Sequence, residues 1–227
     1  MLTVTRVSIP VTQDSLTIPQ MDALSGEYPA IEFSADIATP PDSFSRRSSI
    51  SNRAMHLKAP FSPDATPSWV MHLLSVLDPS MRLYMLGGAF ESSRLLLSDS
   101  VVRSRLAAHH TVIEAAPHTI DAAYRIAGNA DNISIIVRAG ALSDCIPSIR
   151  GGVRLGIMGV TPDNIAGSMA QLERVSPWRG GYTFIRADHD WIHAEGEHKV
   201  LDRVWAFMGA AEEFMATPES NRMGWAV

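Results

Sequence analysis

The feature that most constrains the fold is an alternation of short apolar segments with longer amphipathic ones, which begins near residue 82. The segments RLYML, HTVIEAA, ISIIVRAG, VRLGIMGV and GGYTFIRAD are short and rich in aliphatic or β-branched residues, as strands are. Segments with helical spacing follow most of them, such as HTIDAAYRIAG, which ends at Gly128. Strands that alternate with helices predict a parallel sheet with helices on both faces.

Residues 1–66 differ in composition and are rich in Ser, Thr, Pro and Asp. Because proline fixes φ and removes a hydrogen-bond donor, this segment cannot form one long regular element. We predict short pieces within it, a strand at Thr3–Val7 and a short helix at Ser45–Leu57. We interpret the segment as an extension that caps a domain spanning residues 67–227. The terminal RMGWAV predicts one more strand.

Composition excludes several classes of protein. The chain has 227 residues, of which 46% are hydrophobic, and a net charge of −5, which gives no basic footprint for nucleic acid. A single cysteine, Cys145, excludes an intrachain disulfide and a cysteine zinc cluster. No apolar run reaches the roughly 18 residues of a spanning helix, and the N-terminus lacks a signal-peptide pattern. We therefore expect a cytoplasmic protein without nucleic-acid or membrane partners, and a homodimer stays open.

Ligands of open parallel sheets bind beyond the carboxyl ends of the strands, so the residues after each strand are the candidates. Glycines after RLYML permit positive φ and close approach of the backbone, and the helix that follows offers partially positive N–H groups. The same glycines are equally compatible with a plain turn. The candidates in this turn are Gly87, Gly88, Ala89, Glu91, Ser92 and Ser93.

A carboxylate at the end of the next strand, Glu114, could accept hydrogen bonds from ribose hydroxyls. Small residues after the third strand could leave room for an adenine, although a plain turn explains them as well. The candidates for binding an adenosine here are Glu114, Ala115, Gly140, Ala141 and Leu142.

The densest polar cluster, RADHDWIHAEGEH, follows the last strong strand. Asp188 and Asp190 are alternating carboxylates that could bind a divalent cation. His189 lies between them and could act as a base near neutral pH. A solvated loop of acids and imidazoles is the alternative. Since no HExxH or similar spacing occurs, we assign no metal site and name Asp188 and His189 as the catalytic candidates.

The order of a glycine turn, a strand ending in Glu114 and a GGY strand ending in Asp188 resembles class I S-adenosylmethionine-dependent methyltransferases. The segments LERVSPWRGGYTFIRADHDW and VLDRVWAFM look like the macrocin O-methyltransferase and cephalosporin-hydroxylase branch. The resemblance covers roughly residues 68–227. It departs from the family at Met85, where an acid is usual, at Glu91, where a glycine is usual, and at the neutral Met158–Gly159 stretch.

The resemblance implies a Rossmann-like, doubly wound, mostly parallel α/β sheet with a C-terminal antiparallel strand and the N-terminal extension as a cap. It implies S-adenosylmethionine as cofactor and methyl transfer to a small-molecule acceptor of specialised metabolism, with Asp188 or His189 removing the acceptor's proton. Two alternatives stay open: other chemistry of the same cofactor, by cyclisation or aminopropyl transfer, and a non-catalytic methyltransferase-like binding protein. A nicotinamide-dependent oxidoreductase is disfavoured because GxGxxG is absent.

Overall fold

Eight strands pair around a closed ring in this protein. The computed structural model describes residues 3–12, 15–36, 52–57, 75, 77–78, 80–87, 99–128, 132–149, 152–175 and 182–216. The strands within them are β1 (Thr3–Val11), β2 (Ile31–Asp36), β3 (Arg53–Leu57), β4 (Arg82–Met85), β5 (Val112–Glu114), β6 (Ser134–Arg138), β7 (Leu155–Val160) and β8 (Tyr182–Ala187).

The described helices follow strands in the chain, as crossover connections between parallel strands require. The α-helices are α1 (Ile18–Glu27), α2 (Ser100–Ala108), α3 (Ile120–Ala127), α4 (Leu142–Cys145), α5 (Ile165–Val175), α6 (His189–His193) and α7 (Val200–Ala216). Short 3₁₀ turns occupy Ala139–Ala141, Ile146–Ser148 and Glu197–Lys199. Capping residues define two of the helix ends. At the start of α2, the Asp99 carboxylate accepts hydrogen bonds from the first N–H groups of the helix, and Gly128 is the C-cap of α3.

Each strand is parallel to the next, and β1 also pairs in parallel with β8, which closes the sheet. The closing register aligns Val7 with Ile185 and Ser8 with Arg186. A register shift between Met158 and Val160 interrupts the β7–β8 ladder. A closed ring of eight parallel strands, with helices between them, is the architecture of the TIM barrel.

Side chains separate into two apolar regions because successive residues of a strand point to opposite faces. The larger region lies between the strands and the helices and includes Phe33, Leu24 and Phe207, all fully buried. The smaller one fills the barrel interior, the lumen. Its members are Ala54, Tyr84, Leu86, Val112, Ile136, Met158 and Phe184. In β7, Gly156 makes room for the Phe184 ring, because a Cβ there would lie 2.5 Å from a ring carbon.

The end of the lumen where the strands begin is closed by an ionic network. The buried Glu32 carboxylate is contacted by Arg6, with Nε 3.3 Å from Oε2, and by the Arg82 guanidinium. The Tyr84 hydroxyl donates to Glu32 Oε1 at 2.8 Å. Burial, followed by the Glu32 charge, raises the pKa of Tyr84 well above its usual range, so this hydroxyl stays a donor. In TIM barrels this end of the barrel serves stability.

The predicted fold class is therefore wrong. The sheet is a closed, all-parallel barrel and not an open Rossmann-like sheet with an antiparallel strand. The N-terminal segment is no cap, because it supplies β1, β2 and β3, and Arg53–Leu57 is a strand where a helix was predicted. Its prolines concealed these strands; Pro10 lies within β1 itself.

One prediction for the chain termini is confirmed, and two others fall on residues that the structure does not describe. The strand predicted at Thr3–Val7 is confirmed and extends to Val11. The predicted domain boundary between residues 66 and 67 and the predicted final strand at 222–227 lie outside the described residues. None of the helices in the described part of the chain has the length and apolar character needed to cross a membrane.

Candidate functional site

A cavity of about 280 Å³ lies where β4, β6, β7 and β8 end, which is the C-terminal mouth of the barrel. The backbone around it bends through Gly87 after β4 and Gly159 in β7, whose φ angles are 61° and 72°. Non-glycine residues rarely adopt such φ angles, so both glycines are needed for this shape. The ionisable residues that line the cavity are Arg138, Arg186, Asp188, His189 and Asp190.

The most unusual of these residues is Arg186, whose side chain rises inside the barrel and is only 2% exposed. Its one hydrogen bond runs from Nη2 to the Ser34 hydroxyl at 3.4 Å, and its Nε has no partner among the described residues. No carboxylate of the described chain lies within ion-pair distance of it. Burial lowers the pKa of Arg186, while the nearby carboxylates of Glu32, Glu114 and Asp188 oppose this effect.

A second polar atom without a partner lies on the neighbouring strand. Ser8 is fully buried, faces Arg186 in the β1–β8 register, and its hydroxyl bonds to no described residue. Buried polar groups are almost always hydrogen-bonded, to protein, water or ligand. Water or a ligand in the lumen could supply the partner that these two atoms lack.

The carboxylate of Glu114 ties three strand ends together. Its Oε1 accepts from Arg138 Nε at 2.7 Å, and its Oε2 accepts from the backbone N–H of Gly87. The side chain is 8% exposed, and so it is enclosed by protein rather than presented to solvent. Both oxygens already accept hydrogen bonds from the ends of β4 and β6, and the ribose contact of Glu114 stays a prediction that the structure does not test.

The polar cluster after β8 forms the rim of the cavity. Asp188 is the N-cap of α6, and its Oδ1 accepts from the Trp191 N–H at 2.8 Å. His189 Nδ1 lies 3.3 Å from Asp190 Oδ1, and its ring lies 4.6 Å from the His193 ring. The His189 side chain is one-third exposed, so it can meet a molecule that enters from solvent. No group of three potential metal ligands occurs in the described ranges.

Of the remaining adenosine-binding candidates, those that the structure describes do not line the cavity. Gly140 and Ala141 belong to the 3₁₀ turn after β6, and Leu142 is fully buried in the outer apolar region. The Ala115 N–H continues the ladder to the Ile136 carbonyl at 2.9 Å. The other candidates in the first turn lie outside the described residues; they are Gly88, Ala89, Glu91, Ser92 and Ser93.

Sequence reasoning missed the two arginines of the cavity. Arg138 and Arg186 both lie within the predicted strands ISIIVRAG and GGYTFIRAD, and not after them, where the ligand-binding residues of an open sheet are expected. A charged residue near the end of an otherwise apolar parallel strand was the available signal. In an open sheet such a strand is covered on both faces and reads as a continuous apolar run.

Comparisons with known proteins add little. No family model matches the sequence, and no curated protein matches it. One solved structure, a mandelate oxidase mutant with the monooxide FMN adduct, aligns with 94% of this chain and 73% of its own at 12% identity, with a TM-score of 0.46. A likeness of this size carries no conclusion about cofactor or reaction. The assignment of the barrel rests on the strand pairing alone.

The expectation of S-adenosylmethionine-dependent methyl transfer is wrong, as are both alternatives built on the same resemblance. All three required an open doubly wound sheet with a ligand crevice at its switch point. A closed barrel has no such switch point, and the carboxylate meant for the ribose holds the barrel's own strand ends instead.

Proposed function

We propose that this chain is an enzyme that binds a small molecule bearing an anionic group, a carboxylate or a phosphate, in the C-terminal mouth of the barrel and moves a proton on it through His189. The observation that carries this proposal is the buried guanidinium of Arg186, which lines the cavity and meets no carboxylate among the described residues. In TIM barrels, catalytic residues are usually found at this end of the barrel.

The energetic argument concerns an unpaired buried charge. Moving an ion from water into a protein costs several kcal/mol even after relaxation, unless a partner compensates it. Among the described residues, Arg186 has one long hydrogen bond, to Ser34, and its Nε has no partner. An anionic group entering the cavity would supply the missing acceptor, and guanidinium groups suit carboxylate and phosphate oxygens well.

The proton-transfer part rests on the placement of His189. Its ring stands on the rim of the same cavity, partly exposed, with Nδ1 facing Asp190 at 3.3 Å. An imidazole in such a position can accept or donate a proton near neutral pH. Asp188 is the second proton-transfer candidate, although one of its oxygens already caps α6.

Binding is tested first. Molecules retained after purification are identified by mass spectrometry, and a panel of carboxylates and phosphate esters is tested by thermal shift with the wild type, Arg186→Met and Arg105→Met. Arg105 is an exposed arginine on α2 and serves as the matched control. We expect anions to stabilise the wild type and the control but not Arg186→Met. Equal stabilisation of all three proteins would contradict the proposal.

Chemistry is tested next on the compounds that bind. Each is incubated with the protein in D₂O, and NMR monitors deuterium incorporation at carbons near the anionic group. We expect incorporation with the wild type and its loss in His189→Asn, which should still bind the compound. A variant that binds and exchanges as fast as the wild type would remove His189 from the mechanism.

A further inference from the structure

We propose that Arg138 is a second anion-binding residue of this site and that Glu114 is its positioning residue, so that the cavity prefers ligands with two negative charges over ligands with one. This inference rests on the proposed function. It concerns the selectivity of the cavity, which the single buried guanidinium of Arg186 does not define.

Two guanidinium groups line one small cavity. Arg186 approaches from within the lumen, and Arg138 approaches from the end of β6. Arg138 Nε is engaged by Glu114, while its terminal nitrogens bond to no other described residue. Those nitrogens stay available to an occupant, so a ligand on Arg186 lies beside a second set of donors.

Arg138 needs its positioning partner because its side chain is 59% exposed. Exposed charged side chains contribute little to an ionic contact, since fixing a long flexible side chain consumes much of the gain. The Glu114 carboxylate has already fixed this guanidinium from a buried position. A group held in place before binding loses less freedom when the ligand arrives.

The second oxygen of Glu114 extends the same arrangement to the turn after β4. It accepts from the N–H of Gly87, a residue that lines the cavity with a φ of 61°. Glu114 therefore couples the Arg138 guanidinium to the backbone turn after β4. The remaining acids of the rim oppose a dianion only weakly: Asp190 is fully exposed, and Asp188 is engaged as a helix cap.

The test compares doubly and singly charged probes. Malonate carries two carboxylates, glycerol phosphate at about pH 8 carries one doubly ionised group, and acetate is the singly charged reference. Dissociation constants are measured for the wild type, Arg138→Met, Glu114→Gln and, as the control, Glu213→Gln, an exposed acid on α7. Malonate and glycerol phosphate together distinguish a ligand with two acidic groups from one with a single dianionic group.

We expect Arg138→Met to weaken binding of at least one dianion about tenfold, the size of one charge-assisted hydrogen bond, and to change acetate binding at most about twofold. Glu114→Gln should weaken the same dianion by a similar factor. If Glu114 merely repelled ligands, Glu114→Gln would bind dianions more tightly, and that result would overturn the positioning role. Unchanged dianion binding in Arg138→Met would overturn the whole inference.

A double-mutant cycle separates positioning from general damage to the fold. Arg138→Lys keeps the charge but has no Nε–H for Glu114 to hold, so adding Glu114→Gln to it should change dianion binding at most about twofold. A further tenfold loss in the double variant would contradict the positioning role. A wild type that binds neither dianions nor acetate would refute the proposed function as well, whereas binding lost only in Arg186→Met leaves that function standing.

Discussion

Replacing Arg186 by methionine should make the unliganded protein more stable, although it removes the residue on which ligand binding depends. Methionine fills much of the same volume and carries no charge. The guanidinium that it replaces is 2% exposed, and the hydrogen bond that it donates to Ser34 is long at 3.4 Å. The substitution therefore removes a desolvated charge and sacrifices little bonding.

The magnitude follows from how poorly this charge is compensated. Replacing buried ionic groups by apolar residues of similar volume is often neutral or stabilising by about 1–4 kcal/mol. The carboxylates of Glu114 and Asp188 attract Arg186 without contacting it, which places the expected gain near the middle of that range, at about 2 kcal/mol. For a chain of this size, about 2 kcal/mol corresponds to a rise in Tm of about 4–8 °C.

The assay is urea unfolding of the unliganded proteins, with the midpoint and the m value compared between the wild type and Arg186→Met. We expect a higher midpoint at an unchanged m value, which is the sign of altered stability rather than altered compactness. Arg82→Met provides the matched comparison at the other end of the lumen. Because this substitution removes one partner of the buried Glu32, it should lower the free energy of unfolding by about 2 kcal/mol.

A decrease of about 3 kcal/mol or more in the free energy of unfolding of Arg186→Met would refute this reasoning. Losses of that size are typical of breaking a buried ion pair. Such a result would mean that Arg186 has a strong partner within the protein, so that its charge needs no ligand. The proposed anion site would then lose its main support.

Three further predictions concern the barrel itself. Gly156→Ala should lower the free energy of unfolding by about 1–3 kcal/mol in urea, because its methyl group would overlap the Phe184 ring; a stability equal to that of wild type would place the ring elsewhere. Glu32→Gln should lose about 3–5 kcal/mol in the same assay, since it leaves two arginines without their counter-charge, and a neutral result would make the network dispensable. Burial raises the pKa of the Cys145 thiol, so mass spectrometry should find it unmodified by iodoacetamide in the native protein and modified in urea; rapid native alkylation would contradict its burial.

Much of the local structure could be predicted from the sequence. The five strand segments from residue 82 onward coincide with β4 to β8, and the helix predicted to stop at Gly128 does so. These elements were predictable because their signals are local: apolar runs of strand length and capping residues. The arrangement of the strands was not, because the same alternation builds both open sheets and closed barrels.

Closure depends on contacts that no local pattern encodes. The β1–β8 pairing joins residues near position 8 to residues near position 186. The polar residues of the strands carried the missing information. Arg6 and Ser8 alternate with the buried Val7 and Ile9 in β1, as expected of a strand with one face toward a partly polar lumen.

The candidate site was predictable in part. The polar cluster after β8 supplies residues of the cavity rim, and Gly87 lies on the cavity, but the chemistry inferred for them depended on the wrong fold. Glu114 was noticed for the right reason, a carboxylate at a strand end, and misinterpreted because its partner Arg138 lies on the next strand. Pairing between strand ends becomes visible only once their order is known.

The buried charges at the two ends of the lumen differ in whether the protein itself supplies their partners. At the end where the strands begin, the buried Glu32 carboxylate is contacted by two arginines and a tyrosine, so this buried charge has partners within the chain. At the C-terminal end, Arg186 is equally buried but lacks such a partner among the described residues. A fold that satisfies one buried ion so thoroughly gains nothing in stability from leaving another unsatisfied. The unsatisfied charge is best explained by a partner that arrives from outside, and the cavity above Arg186 is where that partner can enter.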